Sequence, residues 1–147
     1  MYQILLAAVL ACSTPDHRAF DFWLGEWRVE ANGKLAGHNT ITKSHDGCVL
    51  EERWRGASGL TGASLNIYDA ATKKWHQTWV DSSGTLLLID GGIADGAMRM
   101  GNATNRITWS RLDGGRVRQV WEQTTDGKKW KVVFDGTYVP QQTTVRK

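Results

Sequence analysis

Proline, cysteine and runs of like charge are scarce in this sequence of 147 residues. Two prolines and a hydrophobic fraction of 41% are typical of an ordinary globular protein and not of a disordered one. The 18 basic and 15 acidic residues alternate along the chain without forming a basic arm or stripe, so we expect no nucleic-acid partner. A chain of this length can bury one core without help from metals or disulfides.

Motifs that specify a reaction are also lacking. The four histidines are widely spaced, with no His-x-His or i, i+4 pair, and the two cysteines do not have zinc-ligand spacing. Ser44, His45 and Asp46 have the residue types of a catalytic triad, but consecutive residues of an extended segment point in different directions. The glycines between 91 and 96 lack the spacing of a nucleotide-binding loop. The sequence therefore predicts no catalytic residue, no metal site and no cofactor.

The longest apolar run, Tyr2 to Ala11, is too short to span a bilayer and is typical of a signal peptide. It ends in Val9-Leu10-Ala11-Cys12, which resembles a bacterial lipobox whose cysteine is lipidated. We therefore interpret residues 1–15 as a signal peptide or lipoprotein leader. This predicts a periplasmic protein or an outer-membrane lipoprotein attached through Cys12. The charged segment that normally precedes such a run is missing, which leaves open a misannotated start codon or a first element packed on the domain.

Whether Cys48 is a free thiol or part of a disulfide depends on whether Cys12 is retained and unmodified. If Cys12 is cleaved away or lipidated, Cys48 is a lone thiol, and its apolar neighbours Val49 and Leu50 favour a buried, inert one. The alternative is a disulfide between Cys12 and Cys48, which an oxidising compartment would permit.

Turn-forming residues recur every nine or ten residues and separate about ten extended segments, most of them joined as hairpins. We predict an all-β, up-and-down antiparallel barrel over residues 16–139, followed by a tail at 140–147, because closure leaves no unpaired strand edge. A short helix from Asp16 to Trp23 is expected to cap one end. The predicted turns are Asn32-Gly33, Asp46-Gly47, Gly59 to Gly62, Asp69 to Lys73, Asp81 to Gly84, Gly91-Gly92, Gly101-Asn102, Asp113 to Gly115 and Asp126-Gly127.

Four motifs stand out: the run from Phe20 to Trp27, Asp46-Gly47-Cys48 leading to Glu51-Glu52-Arg53-Trp54, the run from Trp75 to Asp81, and Gly91-Gly92. Together they resemble a bacterial, often exported, calycin-like family of unassigned function, related in shape to lipocalins, fatty-acid-binding proteins and nitrobindin. The resemblance covers residues 17 to 139 and implies a fold more firmly than a function. Nitrobindin-like barrels bind haem through a C-terminal histidine, whereas this chain has no histidine after His76, so we expect no haem.

Alternation sorts the strand residues into two faces, because residues two apart point the same way. One face contains Arg53, Arg55, His76, Arg118 and Glu122 and is typical of a solvated exterior. The other face mixes aromatic with uncharged polar side chains and is the predicted interior. It comprises Cys48, Leu50, Glu52, Trp54, Ser64, Asn66, Tyr68, Trp75, Gln77, Trp79, Val117, Gln119, Trp121 and Gln123.

This mixed interior predicts a small-molecule-binding pocket of the cell envelope, since a purely structural core would favour Leu, Ile and Val. Polar groups would orient an amphipathic or polar ligand and aromatic rings would contact its apolar part. Two alternatives stay open: an enzyme with Glu52 as general acid or base, and a structural module whose interior is a filled polar network. The candidate ligand-binding residues are Glu52, Asn66, Gln77, Gln119, Trp54, Tyr68, Trp79 and Trp121.

Other large side chains are expected to be structural. Trp27 is predicted to pack under the N-terminal helix, Trp109 to belong to the core with Ile107, and Met98 and Met100 to fill gaps there.

Overall fold

The chain folds into a closed up-and-down barrel of ten antiparallel strands, which confirms the predicted fold class. The structure, a computed structural model, describes residues 11–142, so most of the predicted leader and of the predicted tail lies outside the described residues. The strands are β1 Gly25–Ala31, β2 Lys34–Ser44, β3 Val49–Gly56, β4 Thr61–Asp69, β5 Lys74–Asp81, β6 Leu86–Ala94, β7 Ala97–Gly101, β8 Asn105–Arg111, β9 Val117–Thr124 and β10 Trp130–Pro140.

Strands β1 and β10 close the barrel, pairing from Trp27 with Pro140 to Glu30 with Thr137. All the remaining pairs of neighbouring strands are consecutive in sequence, so the turns fall alternately at the two ends of the barrel. One end holds the segment that enters β1 together with the β2–β3 and β4–β5 turns. We call it the closed end, and we call the opposite end, where the β3–β4 and β5–β6 turns lie, the mouth.

One predicted turn is wrong. Gly91 and Gly92 lie inside β6, and the chain turns instead at Asp95 and Gly96, both of which have positive φ. Gly91 is needed for a different reason, since a Cβ there would collide with the carbonyl oxygen of Arg99 on the neighbouring strand. Glycine thus marks a close backbone approach at this position and not a turn.

Aromatic packing seals the closed end. Phe20 stacks on Trp23 at 4.8 Å between ring centroids and meets Trp109 edge-on at 5.2 Å. Trp27 packs beneath this segment, as predicted, and its indole N–H donates to the backbone oxygen of Trp23 at 2.8 Å. The expected helix reduces to one 3-10 turn, Asp21–Trp23, because the backbone hydrogen bonds from Asp16 to Leu24 join residues three apart and not four. Trp109 is fully buried, as predicted.

A disulfide joins Cys12 to Cys48, with the two Cα atoms 5.1 Å apart. The expectation of an unpaired, buried Cys48 thiol is therefore wrong. Cys48 is the last residue of the β2–β3 turn and is half-buried at the closed end, where the N-terminal segment passes. Lipidation would use the same Cys12 sulfur as this bond. Membrane attachment through Cys12 thus stays a prediction that requires the disulfide to be absent.

The outer face carries the charge, as the alternation predicts. Arg118 pairs with Asp135 at 2.7 Å and Arg106 with Glu122 at 2.7 Å, both on the outside of the barrel. Every Lys and Arg within residues 11–142 is exposed. Within the same residues, no helix has the length and hydropathy needed to cross a bilayer.

Candidate functional site

A cavity of about 360 Å³ opens at the mouth and runs into the barrel interior. Its floor is polar, its walls near the mouth are aromatic, and one side is aliphatic because β6 and β8 contribute Leu87 and Ile107. The lining residues are Glu52, Trp54, Leu60, Gln77, Trp79, Asp81, Leu87, Ile107, Gln119, Trp121, Gln123, Val133, Phe134 and Tyr138.

Glu52 is the polar centre of the floor and is 5% exposed. Its Oε1 accepts a hydrogen bond from Asn39 Nδ2 at 2.8 Å, and its Oε2 accepts one from Ser64 Oγ at 2.5 Å. Ser64 on β4 is paired directly with Glu52 on β3, whereas Asn39 on β2 is paired with Trp54 and reaches Glu52 diagonally, from two residues along the strand. Two neutral donors thus hold the carboxyl group in place.

Hydrogen bonds extend from Glu52 in both directions around the barrel. On one side, Ser64 Oγ accepts from Asn66, whose Oδ1 in turn accepts from Gln77 Nε2 at 2.8 Å. On the other side, Asn39 Nδ2 also donates to the Tyr138 hydroxyl at 3.1 Å, and that hydroxyl donates to Gln119 Oε1 at 2.6 Å. We call this chain the polar belt; its members are Gln77, Asn66, Ser64, Glu52, Asn39, Tyr138 and Gln119.

Burial dominates the electrostatics of the belt. It raises the pKa of Glu52 from 4.5 to about 6, although the hydrogen bonds from Ser64 and Asn39 oppose the shift. Burial also raises the pKa of Tyr138, and the nearby Glu52 charge adds to that rise. No Lys, Arg or His within residues 11–142 forms an ion pair with Glu52. The cavity floor therefore holds a carboxyl group with a pKa of about 6 that has no counter-charge among the described residues.

Half-buried aromatic side chains form the walls above the floor. Trp54 meets Phe134 edge-on at 6.5 Å, and the Trp121 indole donates to Asn105 Oδ1 at 2.9 Å. The Trp79 ring lies across Gly62 on the adjacent strand, where a Cβ would collide with it. These contacts fix the ring positions before any ligand arrives, which lowers the entropy cost of binding.

Asp81 lies where β5 reaches the mouth. Its Oδ2 accepts from the Trp79 indole at 3.0 Å, while its Oδ1 accepts from the hydroxyl and the backbone N–H of Ser83. The Ser83 hydroxyl, more than the Trp79 indole, lowers the pKa of Asp81 to about 2. Asp81 is therefore ionised throughout the physiological range.

Six of the eight candidate residues line the cavity: Glu52, Gln77, Gln119, Trp54, Trp79 and Trp121. Asn66 is fully buried behind them, where it links Ser64 to Gln77. Tyr68 faces inward at the wrong depth, since it lies at the closed end with its ring 5.0 Å from that of His17. Alternation gives the face of a residue but not its height along the barrel.

Strand β10 supplies cavity-lining residues that were not among the candidates predicted from the sequence. Phe134 and Tyr138 share the inner face with Gly136. An irregularity in pairing between Val132 and Phe134 interrupts the alternation, so Val132 is exposed although it has the same parity. The alternation from Phe134 to Tyr138 alone would have indicated this face.

The cavity lining does not fit a haem group bound through histidine. None of the four histidines lines it, and His76 lies on the outer face of β5, 3.3 Å from the Thr72 hydroxyl. Within residues 11–142, no group of three or more His, Cys, Asp and Glu side chains has the arrangement of a metal site.

No protein-family model matches this chain, and no curated protein is significantly similar to it. The barrel and its cavity therefore carry the functional interpretation by themselves.

Proposed function

We propose that this protein is a small-molecule-binding barrel of the bacterial cell envelope that holds an amphipathic or polar ligand. The observation that carries the proposal is the 360 Å³ cavity whose polar floor and aromatic walls are already in position. Pockets commonly combine apolar walls with a few placed polar groups that orient the ligand. A structural module with a filled interior would not need this space.

The envelope location is supported by the bond between Cys12 and Cys48. Disulfides persist in oxidising compartments such as the periplasm and are rare in the cytosol. The apolar run that precedes Cys12 also supports export, and a leader cleaved before Cys12 would leave this cysteine in the mature chain to form the bond.

Binding is tested with N-phenyl-1-naphthylamine, a neutral probe whose fluorescence rises in apolar surroundings. We expect saturable binding at one site, weakened about tenfold or more by Trp79→Ala because the variant removes one wall. The matched control is Trp130→Ala, since Trp130 is half-buried outside the cavity under the Arg106 guanidinium. Absence of saturable binding, or equal losses in both variants, would contradict a binding function for this cavity.

A second candidate is an enzyme with Glu52 as general acid or base. It is favoured by one observation, the rise in the Glu52 pKa to about 6 inside a ligand-sized space. The two candidates differ in the fate of the ligand. A native ligand recovered unchanged after prolonged incubation with the protein supports binding, whereas conversion that stops in Glu52→Gln supports catalysis.

A further inference from the structure

Within the part of the chain that the structure describes, the cavity is lined by carboxyl groups and by no cationic side chain. Glu52 lies at its floor and Asp81 at its mouth, whereas none of its lining residues is Lys, Arg or His. The described Lys and Arg side chains are all exposed, and the formal net charge of the whole chain is +3. The interior and the exterior of the barrel therefore have opposite charge.

This distribution disfavours an anionic ligand. A carboxylate or phosphate brought into the cavity would approach Glu52 and Asp81 without meeting a cationic side chain of residues 11–142. Burying a charge without a partner is costly, and a like charge nearby increases that cost. A ligand cation would instead meet two groups of the opposite sign.

The floor also retains hydrogen-bond acceptors that face a ligand. Each Glu52 oxygen accepts one bond from the belt, and a carboxylate oxygen has room for a second. Gln77 donates to Asn66 through Nε2, which leaves its carbonyl oxygen as an acceptor at the cavity surface. An ammonium group carries three N–H donors and no acceptor, so it matches this set of atoms.

The walls suit the same ligand class. Trp54, Trp79 and Trp121 surround the path from the mouth to Glu52. The faces of indole rings attract cations and also pack against flat apolar groups. A molecule that combines an ammonium with an aromatic or alicyclic body would use both the walls and the floor.

We propose that the cavity selects an organic cation, an inference that rests on the proposed binding function. The ligand is a primary or secondary amine with a flat apolar group, whose ammonium lies beside Glu52 and whose apolar group lies against Trp54 and Trp79.

Three probes that share a 2-naphthylmethyl group and differ in the polar group attached to it test the proposal by isothermal titration calorimetry at neutral pH. They are 2-naphthylmethylamine, 2-naphthylmethanol and the carboxylate 2-naphthylacetate. The amine is expected to bind at least tenfold more tightly than the alcohol, and the carboxylate more weakly than either. Equal affinities for amine and alcohol, or tighter binding of the carboxylate, would overturn the cation proposal while leaving a binding cavity in place. Failure of all three probes and of the neutral fluorescent probe would overturn both proposals.

The variant Glu52→Gln tests whether Glu52 is the negative charge that binds the ammonium group of the ligand. The Ser64 hydroxyl can rotate to accept from the new amide, so the variant keeps most of the belt. Its preference for amine over alcohol is expected to fall to less than threefold, mainly because the amine binds more weakly. The matched control is Glu51→Gln on the outer face of the same strand, where Glu51 faces Arg53 at 3.7 Å. A preference that survives in Glu52→Gln would overturn the assignment of Glu52.

A measurement on the unaltered protein covers the case in which Glu52→Gln does not fold. The charged or titratable side chains that line the cavity with Glu52 are Asp81, which is already ionised, and Tyr138, whose pKa is raised. Amine affinity is therefore expected to rise roughly tenfold as pH increases through the Glu52 pKa of about 6, with no matching change for the alcohol. An amine affinity that is independent of pH would contradict the placement of the ammonium beside Glu52.

Discussion

Glu52 and Tyr138 share one hydrogen-bond donor, because the Asn39 amide nitrogen lies 2.8 Å from the carboxylate and 3.1 Å from the phenol oxygen. This bridge spans β1, since Asn39 lies on β2 and Tyr138 on β10. A neutral amide thus bridges the two ionisable groups of the floor, and the negative charge of Glu52 adds to the burial that raises the pKa of Tyr138.

The first prediction concerns pH and stability. Burial raises the Glu52 pKa from 4.5 in the unfolded chain to about 6, so the folded state binds more protons between these values. The contribution of Glu52 to the free energy of unfolding therefore falls as pH rises through this window, by about 2 kcal/mol in total. Chemical denaturation of the wild type and of Glu52→Gln should show their stability difference changing by this amount between about pH 4 and pH 8.

Glu51→Gln is the control for that experiment, because it removes a neighbouring carboxylate from the outer face and leaves Glu52 in place. The Glu52-dependent slope should persist in this variant. A constant difference between the wild type and Glu52→Gln across the range would show that Glu52 is not desolvated in the folded protein.

The second prediction concerns the belt. Tyr138→Phe removes the hydroxyl that donates to Gln119 and accepts from Asn39, which leaves both amides without that partner. We expect a loss of about 1–3 kcal/mol in the free energy of unfolding, measured by urea denaturation. Tyr68→Phe is the control, since the Tyr68 hydroxyl makes a long contact of 3.4 Å with Asp16 near the surface. Similar losses in both variants would contradict a structural role for the belt.

The third prediction concerns the disulfide. Cys12 and Cys48 are 36 residues apart, and a cross-link of that loop length constrains the unfolded chain by about 4 kcal/mol in the chain-entropy model. Replacing both cysteines by serine should lower the free energy of unfolding by up to this amount. Reduction of the wild type should have the same effect. Labelling of either cysteine by an alkylating agent before reduction would show that the bond does not form.

The fourth prediction concerns the wall at Trp79. Gly62→Ala places a Cβ against the indole ring, so it should displace the ring and cost about 1–3 kcal/mol of stability. The variant should also weaken probe binding, because the displaced ring no longer lines the same path. Gly92→Ala is the control, since nothing lies within 4 Å of a Cβ at that strand position. Unaltered binding and stability in Gly62→Ala would contradict a fixed Trp79 wall.

Local patterns in the sequence predict the barrel and its inner face but not the depth of each side chain. Turn residues such as Asn32-Gly33 mark real hairpin turns, and alternation places Glu52 and Gln77 inside. The same alternation puts Tyr68 with them, although it lies at the closed end.

Tertiary contacts decide what the local patterns miss. Gly91 lies in a strand because a neighbouring carbonyl leaves no room for a Cβ, and the irregularity before Phe134 hides part of the cavity wall. The Cys12–Cys48 pairing depends on where the N-terminal segment crosses the closed end, which no spacing rule specifies.

The eight tryptophans offer a site-resolved test of the central claim, that the barrel interior is a ligand-binding cavity. Their indole N–H signals are resolved by ¹H–¹⁵N NMR and assigned by single Trp→Phe variants, and 2-naphthylmethylamine is then titrated into the protein. A ligand-binding interior predicts saturable shifts for Trp54, Trp79 and Trp121, with Trp23 at the closed end and Trp130 on the outer face unchanged. Shifts confined to Trp130, or no shift at any indole, would contradict it.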